Sequence, residues 1–461
     1  MRLPQEFRFP EESRKKRVTG SRIYGFLKCE HSIVLDLLGD PSKKLEPSEG
    51  LALLMRRGVE HEERIVAELG YETVEEEDFE AAAARTLALM REGAPGISQG
   101  VLRRGPFLGI PDLLRREEGE SVFGDYHYIV GDIKSSHRPR SDQALQVSFY
   151  SMMLAELQGR DPEKGYLVLR EGNEEEVPVR LLQPVVLEVL EEMEALLAKG
   201  VSGSSPHRSF ACLDCGWRAV CAERGGVSWI PGLSRTGREL LREGGFGELG
   251  ELEALAPEVL VERVGLGWGQ ALRAVAGARV ARMGVPLRLR RPRLAELRRP
   301  YAGMVALQDG FDRRFPVFGS RREEGEPRFF VARTPEEERG AFEEFLGSLR
   351  GASGLVHDGA FRHLFFAFAT RWPDLADRLM QLEARSLDVL GVARGAYQFP
   401  GPVRRAYEAE RMFRGEVGEA EPAPEVAALL AAGDFEGMKG LAGKELEGCM
   451  AVLRRMMEEG P

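Results

Sequence analysis

Two β-prone, partly alternating runs, Phe107–Leu114 and Tyr126–Lys134, stand out from the rest of the chain. A period of two is the mark of a half-buried strand, so the pattern predicts two paired strands. The Gly-, Glu- and Ser-rich segment between them is poor strand material and reads as a polar turn. Around this hairpin the period changes to that of a helix. Ser21–Leu38, with Cys29 in its middle, Pro47–Leu69, Ser141–Leu157 and Gln183–Lys199 carry apolar residues on one helical face. A short strand pair, Lys164–Leu169 and Glu175–Leu182, falls between the last two helices.

Beyond Gly225 the pattern shifts. Short amphipathic helices separated by glycines fill Ile230–Leu255 and a longer one fills Val261–Met283, with a faint likeness to a helix-hairpin-helix. An Arg-rich strip then runs to Pro300. Further strands are expected at Gly303–Gln308, Arg314–Phe318 and Arg328–Ala332, and Thr334 opens a helix with an acidic first turn. The pattern therefore predicts an α/β chain in three parts: residues 1–225, a helical connector at 226–299, and a separate α/β unit at 300–461.

Composition agrees with this division. A chain of 461 residues, 43% hydrophobic and 30% charged, can build two or three domains with real cores. No uninterrupted apolar run is long enough to cross a bilayer, and the charged N-terminus lacks a signal-peptide pattern. A cytoplasmic protein without a membrane partner is expected. The formal charge of −10 argues against indiscriminate coating of nucleic acid. Local basic strips remain at Arg14–Arg17, Arg103–Arg104 and Arg288–Arg299.

Candidate chemistry enters at two places. Asp132 and Lys134 lie two apart on one strand and face the same side, and pairing brings Asp112 beside them. Two carboxylates at one point bind a hard divalent cation, and an ammonium there orients water or steadies phosphate charge. The same three residues on a solvated hairpin would mean nothing. The second place is Cys212-x2-Cys215-x5-Cys221, with Cys29 far upstream and Cys449 downstream. An odd number of cysteines without a secretory signal disfavours a disulfide framework, and the knuckle spacing favours metal ligation. Zinc and an iron–sulfur cluster both fit that spacing. His61 on its helix would ordinarily be structural, and Gln146 and Tyr150 share a helix face four residues apart.

Taken in order, these elements read Cys29, Gly58-x-x-His61, Gly109-x-x-Asp112, Asp132-x-Lys134, Gln146-x-x-x-Tyr150, then Cys212, Cys215 and Cys221. The series resembles the RecB-like PD-(D/E)xK nucleases that carry an Fe–S staple, such as the CRISPR-associated exonucleases and the nuclease domain of helicase–nuclease complexes. The resemblance spans residues from about 20 to 225. It implies a restriction-endonuclease-like core and favours a 4Fe-4S cluster on Cys29, Cys212, Cys215 and Cys221 over zinc. It also implies Mn²⁺ or Mg²⁺ held by His61, Asp112, Asp132 and the backbone carbonyl of Ile133. Asp112, Asp132 and Lys134 would be catalytic, with Gln146 and Tyr150 contacting substrate or orienting the carboxylates. The implied activity is hydrolysis of DNA at single-stranded or duplex ends, in repair, recombination, CRISPR adaptation or phage defence. A helicase or a CRISPR or repair protein would be the partner.

In similar chains an RNase H-like exonuclease domain follows, and the strand order here is similar. That fold takes an Asp-x-Glu on its first strand, where this chain has Val305-Ala-Leu-Gln308. His357-Asp-Gly-Ala-Phe-Arg362 departs from the pattern too. Asp388, with Glu445 or Glu447, remains, and Asp309 or Asp312 could be shifted survivors. The domain is expected to be inactive. An alternative of another class is a non-catalytic Fe–S DNA-binding scaffold, and the intact His61, Asp112, Asp132 and Lys134 favour the enzyme.

Overall fold

The computed structural model describes residues 2–4, 7–8, 17–294, 297–309, 314–401, 403–416 and 426–459, without the side chains of Phe210, Arg224, Arg362 and His363. Most of the Arg14–Arg17 strip, Asp312 and the Arg362 side chain therefore lie outside the described residues. The chain forms two compact units: residues 1–46, 54–206 and 215–219, and residues 47–53, 207–214 and 220–461.

The first unit is built on helices α1 (Gly20–Lys28), α2 (Glu30–Leu38) and α3 (Glu49–Leu69) and a six-stranded sheet. Its strands are β1 (Glu72–Thr73), β2 (Gly96–Ser98), β3 (Leu113–Ser121), β4 (Gly124–Ile133), β5 (Gly165–Val168) and β6 (Glu174–Val177), in spatial order β1-β2-β3-β4-β5-β6. Helix α4 (Phe79–Glu92) connects β1 to β2, α5 (Ser141–Gln158) connects β4 to its parallel neighbour β5, and α6 (Val179–Ala198) follows β6. Period two sorts the central strands onto two faces. Leu113, Ile129 and Ile133 pack with Ile65 of α3, while Leu114, Tyr128 and Val130 join a larger core with Phe149 and Met153 of α5.

The expected hairpin forms with different limits. Phe107–Gly109 leaves it to pair with Val18–Thr19 and Leu102–Arg104 in a small separate sheet, so Asp112 lies just ahead of β3. The segment read as a turn is itself strand, and the reversal is confined to the residues between Ser121 and Gly124. Long polar side chains make this possible. Arg115 lies 3.9 Å from the Tyr166 ring centroid and bonds Glu174 at 2.8 Å, covering the sheet as an apolar residue would. The helix expected over Ser21–Leu38 is also divided. Cys29 is extended (φ −161°, ψ 104°), ending α1 and capping α2, and its carbonyl accepts from the Ser32 amide and hydroxyl.

The second unit opens with α7 (Arg235–Glu243), α8 (Leu249–Glu253), α9 (Pro257–Val264) and α10 (Trp268–Met283), packed on their own core. A five-stranded sheet follows, with strands β7 (Tyr301–Leu307), β8 (Val317–Arg322), β9 (Arg328–Val331), β10 (Gly354–His357) and β11 (Ser386–Asp388) in the order β9-β8-β7-β10-β11. The first three are antiparallel; β10 and β11 run parallel to β7. Helices α11 (Glu338–Ser348), α12 (Ala360–Arg371) and α13 (Ala376–Glu383) cover one face through clustered phenylalanines, with Phe342 and Phe368 centroids 4.4 Å apart. Helix α11 starts later than Thr334, because the Glu337 carboxylate turns back to accept from the Arg333 amide at 2.7 Å. Helices α14 (Val389–Ala396), α15 (Ala406–Phe413) and α16 (Phe435–Glu458) complete the unit. The Arg-rich strip is not a free linker. Leu287–Arg288 pairs with Tyr397–Gln398, and Gln398 Nε2 donates to the Pro231 carbonyl at 3.2 Å. No helix among the described residues is long and apolar enough to cross a membrane.

Candidate active site

The strand register determines the site. Leu113 stands opposite Gly131 and Leu114 opposite Val130, so one further step sets Asp112 opposite Asp132. The Ile133 amide donates to Asp112 Oδ2 at 2.6 Å, and the Asp112 carbonyl accepts from the Gln99 amide at 3.0 Å. Beyond Ile133 the chain stays on the sheet, with the Lys134 amide bonded to the Val168 carbonyl at 2.9 Å. Alternation then returns the Lys134 side chain to the Asp132 face, where its ammonium pairs with Asp132 Oδ2. Asp132 is 1% exposed and the Lys134 side chain 22%, so the charges meet at the rim of the core.

Two groups absent from the sequence reading belong to this cluster. Glu62, on α3, is pushed above its ordinary range first by burial and then by Asp132, against the pull of Lys134 and the Gln99 amide. Gln99 Nε2 donates to Glu62 Oε1. Gln99 itself has φ 55°, in the left-handed region that a non-glycine residue rarely adopts. One residue thus ties the backbone of Asp112 to the carboxylate of Glu62. Burial, followed by Asp132 and Glu62, holds Asp112 well above the usual carboxylate range. Burial alone would lower Lys134, but Asp132, Asp112 and Glu62 outweigh it and hold the ammonium charged. Three acids around one ammonium oppose one another's ionisation, and a divalent cation among them would relieve that opposition.

Tyr150 and Gln146 reach the same place from α5. Gln146 Nε2 donates to Tyr150 Oη at 3.0 Å. Burial, then Asp132 and Asp112, disfavours the phenolate, so Tyr150 keeps its proton. Two glycines admit this ring. A Cβ at Gly20 would lie 2.5 Å from Tyr150 Oη, and one at Gly109 would lie 2.8 Å from its Cδ1.

Residues 27–222 match the family model of the PD-(D/E)XK nuclease superfamily. The PD-(D/E)XK domain so defined includes the whole acid cluster and lies mostly in the first unit. Members of that superfamily are generally nucleases and typically use Mg²⁺ or Mn²⁺. Metal-dependent nuclease activity, with DNA as substrate, is the class to which the match points. No curated protein matches the chain.

The residues fit a hard divalent cation, because Asp112 and Asp132 offer carboxylate oxygens side by side on adjacent chain segments. Lys134 neutralises Asp132 in the present arrangement, and among the described residues no three Cys, His, Asp or Glu side chains are grouped to hold a metal. His61 Nε2 is buried and has no hydrogen-bond partner among the described residues. Its Nδ1 lies 2.9 Å from Arg64 Nη2, and the charges acting on it are Arg64, Arg170 and Glu68. A guanidinium only donates, so Nδ1 is the acceptor and the neutral ring carries its proton on Nε2. Ligation through Nε2 would require the ring to release Arg64 and change tautomer. Ile133 turns its side chain into the α3-side core.

None of the five cysteines forms a disulfide. Cys29 and Cys215 fall in the first unit, and Cys212 and Cys221 in the second. The Cys212 thiol donates to the His207 carbonyl at 3.3 Å. Cys449 is fully buried in the second unit, where burial pushes its thiol well up and leaves it inert. Three acids of the second unit accept from amides at helix N-termini, while Asp309 is buried and Glu447 lines a groove. Asp388 accepts from Gly391 at 2.7 Å, Asp358 from Ala360 at 3.1 Å, and Glu445 Oε2 from Ala406 at 2.8 Å and Tyr407 at 3.3 Å.

Proposed function

We propose that this protein is a metal-dependent exonuclease that hydrolyses DNA phosphodiester bonds at single-stranded ends. The observation that carries the reading is the pairing of Asp112 with Asp132 on adjacent strands, joined by the Ile133 amide and completed by Lys134. Asp112, Asp132 and the Ile133 carbonyl would hold Mg²⁺ or Mn²⁺. When bound, such an ion polarises the scissile phosphate and lowers the pKa of its water. Lys134, already charged, would leave Asp132 free to hold the cation and turn its ammonium to the phosphate oxygens or the attacking water. Tyr150, protonated and braced by Gln146, donates a hydrogen bond to the substrate or orients a carboxylate. Glu62 would accept a hydrogen bond from water or ligate the cation directly, and the α5 and α3 sides of the sheet restrict bulk water.

Finer assignments rest on the order of motifs. The run of six elements favours the RecB-like branch, with a 4Fe-4S cluster on Cys29, Cys212, Cys215 and Cys221 as a structural clasp. The absence of any disulfide among these thiols is compatible with that role. The strand order β9-β8-β7-β10-β11 and its mixed directions support an RNase H-like assignment for the second unit's sheet. Val305-Ala-Leu-Gln308 on its first strand and the capping roles of Asp358, Asp388 and Glu445 support inactivity there. A cytoplasmic place in repair, recombination, CRISPR adaptation or phage defence, beside a helicase or repair protein, accords with these features.

The test is digestion of end-labelled single- and double-stranded DNA with Mn²⁺, Mg²⁺ or EDTA. Products should appear with either cation, vanish in EDTA, and vanish with Asp112→Ala, Asp132→Ala or Lys134→Ala. Wild-type activity in the Asp132→Ala protein would sink the assignment.

A further inference from the structure

A groove of about 760 Å³ runs between α15 and α16 in the second unit. Its lining is basic: Arg321, Arg411, Arg414, Lys444 and Arg454 face two acids, Glu410 and Glu447. An excess of cations here stands against a whole-chain charge of −10. Arg411 and Arg414 are partly spent, pairing with Glu416 at 3.2 Å and with Glu410 at 2.9 Å. Lys444 and Arg454 differ. Both are exposed, and neither has a carboxylate within 4.0 Å among the described residues. On the same helix, cations away from the groove are paired, Lys439 with Glu436 at 2.7 Å and Arg455 with Glu459 at 2.9 Å. The unpaired charges are therefore confined to the groove.

Its shape suits a polymer rather than a compact anion. Lys444 and Arg454 are ten residues apart on α16, roughly 15 Å along the axis. That is about the length of four stacked nucleotides at roughly 3.4 Å each. Between and beyond them the helix surface is low. A Cβ at Gly440 would meet nothing within 4 Å, whereas one at Gly448 would lie 2.3 Å from the Tyr407 backbone nitrogen. Gly448 thus seats α15 directly on α16 and closes the floor, and the partly buried Tyr407 ring, packed against the cluster that holds Leu441, lines the groove beside the cations.

We propose that this groove holds the sugar–phosphate backbone of a single nucleic-acid strand, with Lys444 and Arg454 neutralising phosphates and Tyr407 stacking on a base. The inference rests on the nuclease reading for the identity of the polyanion. An aromatic side chain lining the groove beside Lys444 and Arg454 favours a nucleic acid over an acidic peptide, because stacking and charge neutralisation are the two devices by which single strands are gripped without sequence preference.

The test is fluorescence anisotropy of labelled dT20 and rU20 on the full chain in EDTA, where no hydrolysis competes. Lys444→Gln/Arg454→Gln should weaken binding on the order of tenfold and reduce the salt slope by about 1.4, at about 0.7 for each phosphate no longer neutralised. Tyr407→Ala should weaken binding with little change in slope. The paired double variant Lys439→Gln/Arg455→Gln should bind as wild type, and circular dichroism melts check that each variant is folded. The arm with the larger loss, DNA or RNA, identifies the strand. Unchanged affinity and slope in Lys444→Gln/Arg454→Gln, or equal competition by polyglutamate, would overturn the proposal. Cleavage by the wild-type chain is followed separately with Mn²⁺. Its absence would end the nuclease reading while the binding result still judges the groove.

Discussion

Glu62 and His61 flank Ile65 on α3. At 3.6 residues per turn they lie about 60° to one side and about 40° to the other. Ile65 is buried under the sheet, and the Glu62 flank faces Asp132. Which flank does so depends on how α3 rolls on its packing partners, and periodicity carries no such information. Asp112, Asp132, Lys134, Gln146 and Tyr150 were legible because a period of two or a spacing of four fixes a shared face without reference to anything distant. Gln99 was illegible for another reason: its left-handed backbone is a tertiary fact in a segment with no turn glycine at that position. The residue-scale prediction follows from its two bonds. Gln99→Gly keeps the turn and relieves about 1–2 kcal/mol of left-handed strain, comparable to the hydrogen bond it loses. Cleavage should therefore fall about tenfold or more, as in Glu62→Gln, while the melting temperature holds within a few degrees. Full activity in both variants would remove Gln99 and Glu62 from the site.

Elements were predicted well where burial dictates them and poorly where a single residue ends them. Helices α3, α5 and α6 came close to their expected spans, whereas Cys29 split a helix that hydrophobic spacing ran straight through. Pattern cannot register one extended φ,ψ pair when the faces on both sides remain apolar. The contact of α1 with α5 makes a sharper prediction. Because a Cβ at Gly20 would press on Tyr150 at 2.5 Å, Gly20→Ala should cost about 1–3 kcal/mol in urea unfolding and lower cleavage with it. A loss below about 0.3 kcal/mol would show that the ring yields freely. In the second unit, burial first and Asp358 next push Glu445 from its ordinary 4.5 to about 8. A carboxyl raised in the folded state holds a proton that the unfolded chain releases. Its stability contribution is complete below about pH 4.5 and is lost as pH rises through about 8. Thermal melts of the second unit's transition should decline across that window. Glu445→Gln, which can still accept from Ala406 and Tyr407, should flatten the decline; an unchanged slope would assign it elsewhere.

At the scale of the whole molecule, the chain divides at a place the pattern only half disclosed. The Arg-rich strip looked like a boundary, yet Leu287–Arg288 forms a strand pair with Tyr397–Gln398, so the helical connector and the α/β sheet share one unit. A fragment cut at residue 300 would lose that pairing, and the full chain is the proper subject for the remaining tests. If the four-cysteine reading is correct, anaerobically purified protein is brown, carries iron and acid-labile sulfide, and is bleached by Cys29→Ala or Cys212→Ala but not by Cys449→Ala. Colourless protein with stoichiometric zinc would replace the cluster with a zinc staple. The number of active centres is decided by a single substitution.

A hard cation needs anionic oxygens free to turn toward it. In the second unit Asp358, Asp388 and Glu445 are engaged by the amides of helix N-termini, and Arg405 Nη1 stands 3.8 Å from Glu445 Oε1. The first strand ends at Leu307 without an acid, and the buried Asp309 lies beyond it, so freeing the capping acids for a metal would uncap α12, α14 and α15 together. In the PD-(D/E)XK domain, by contrast, Asp132 pairs with a lysine that can swing away. All metal-dependent cleavage by the full chain should therefore vanish with Asp132→Ala, on single-stranded and duplex substrates alike. Residual trimming of 3′ ends by that variant, abolished in turn by Asp388→Asn, would show that the caps do open and that the protein carries two nucleases.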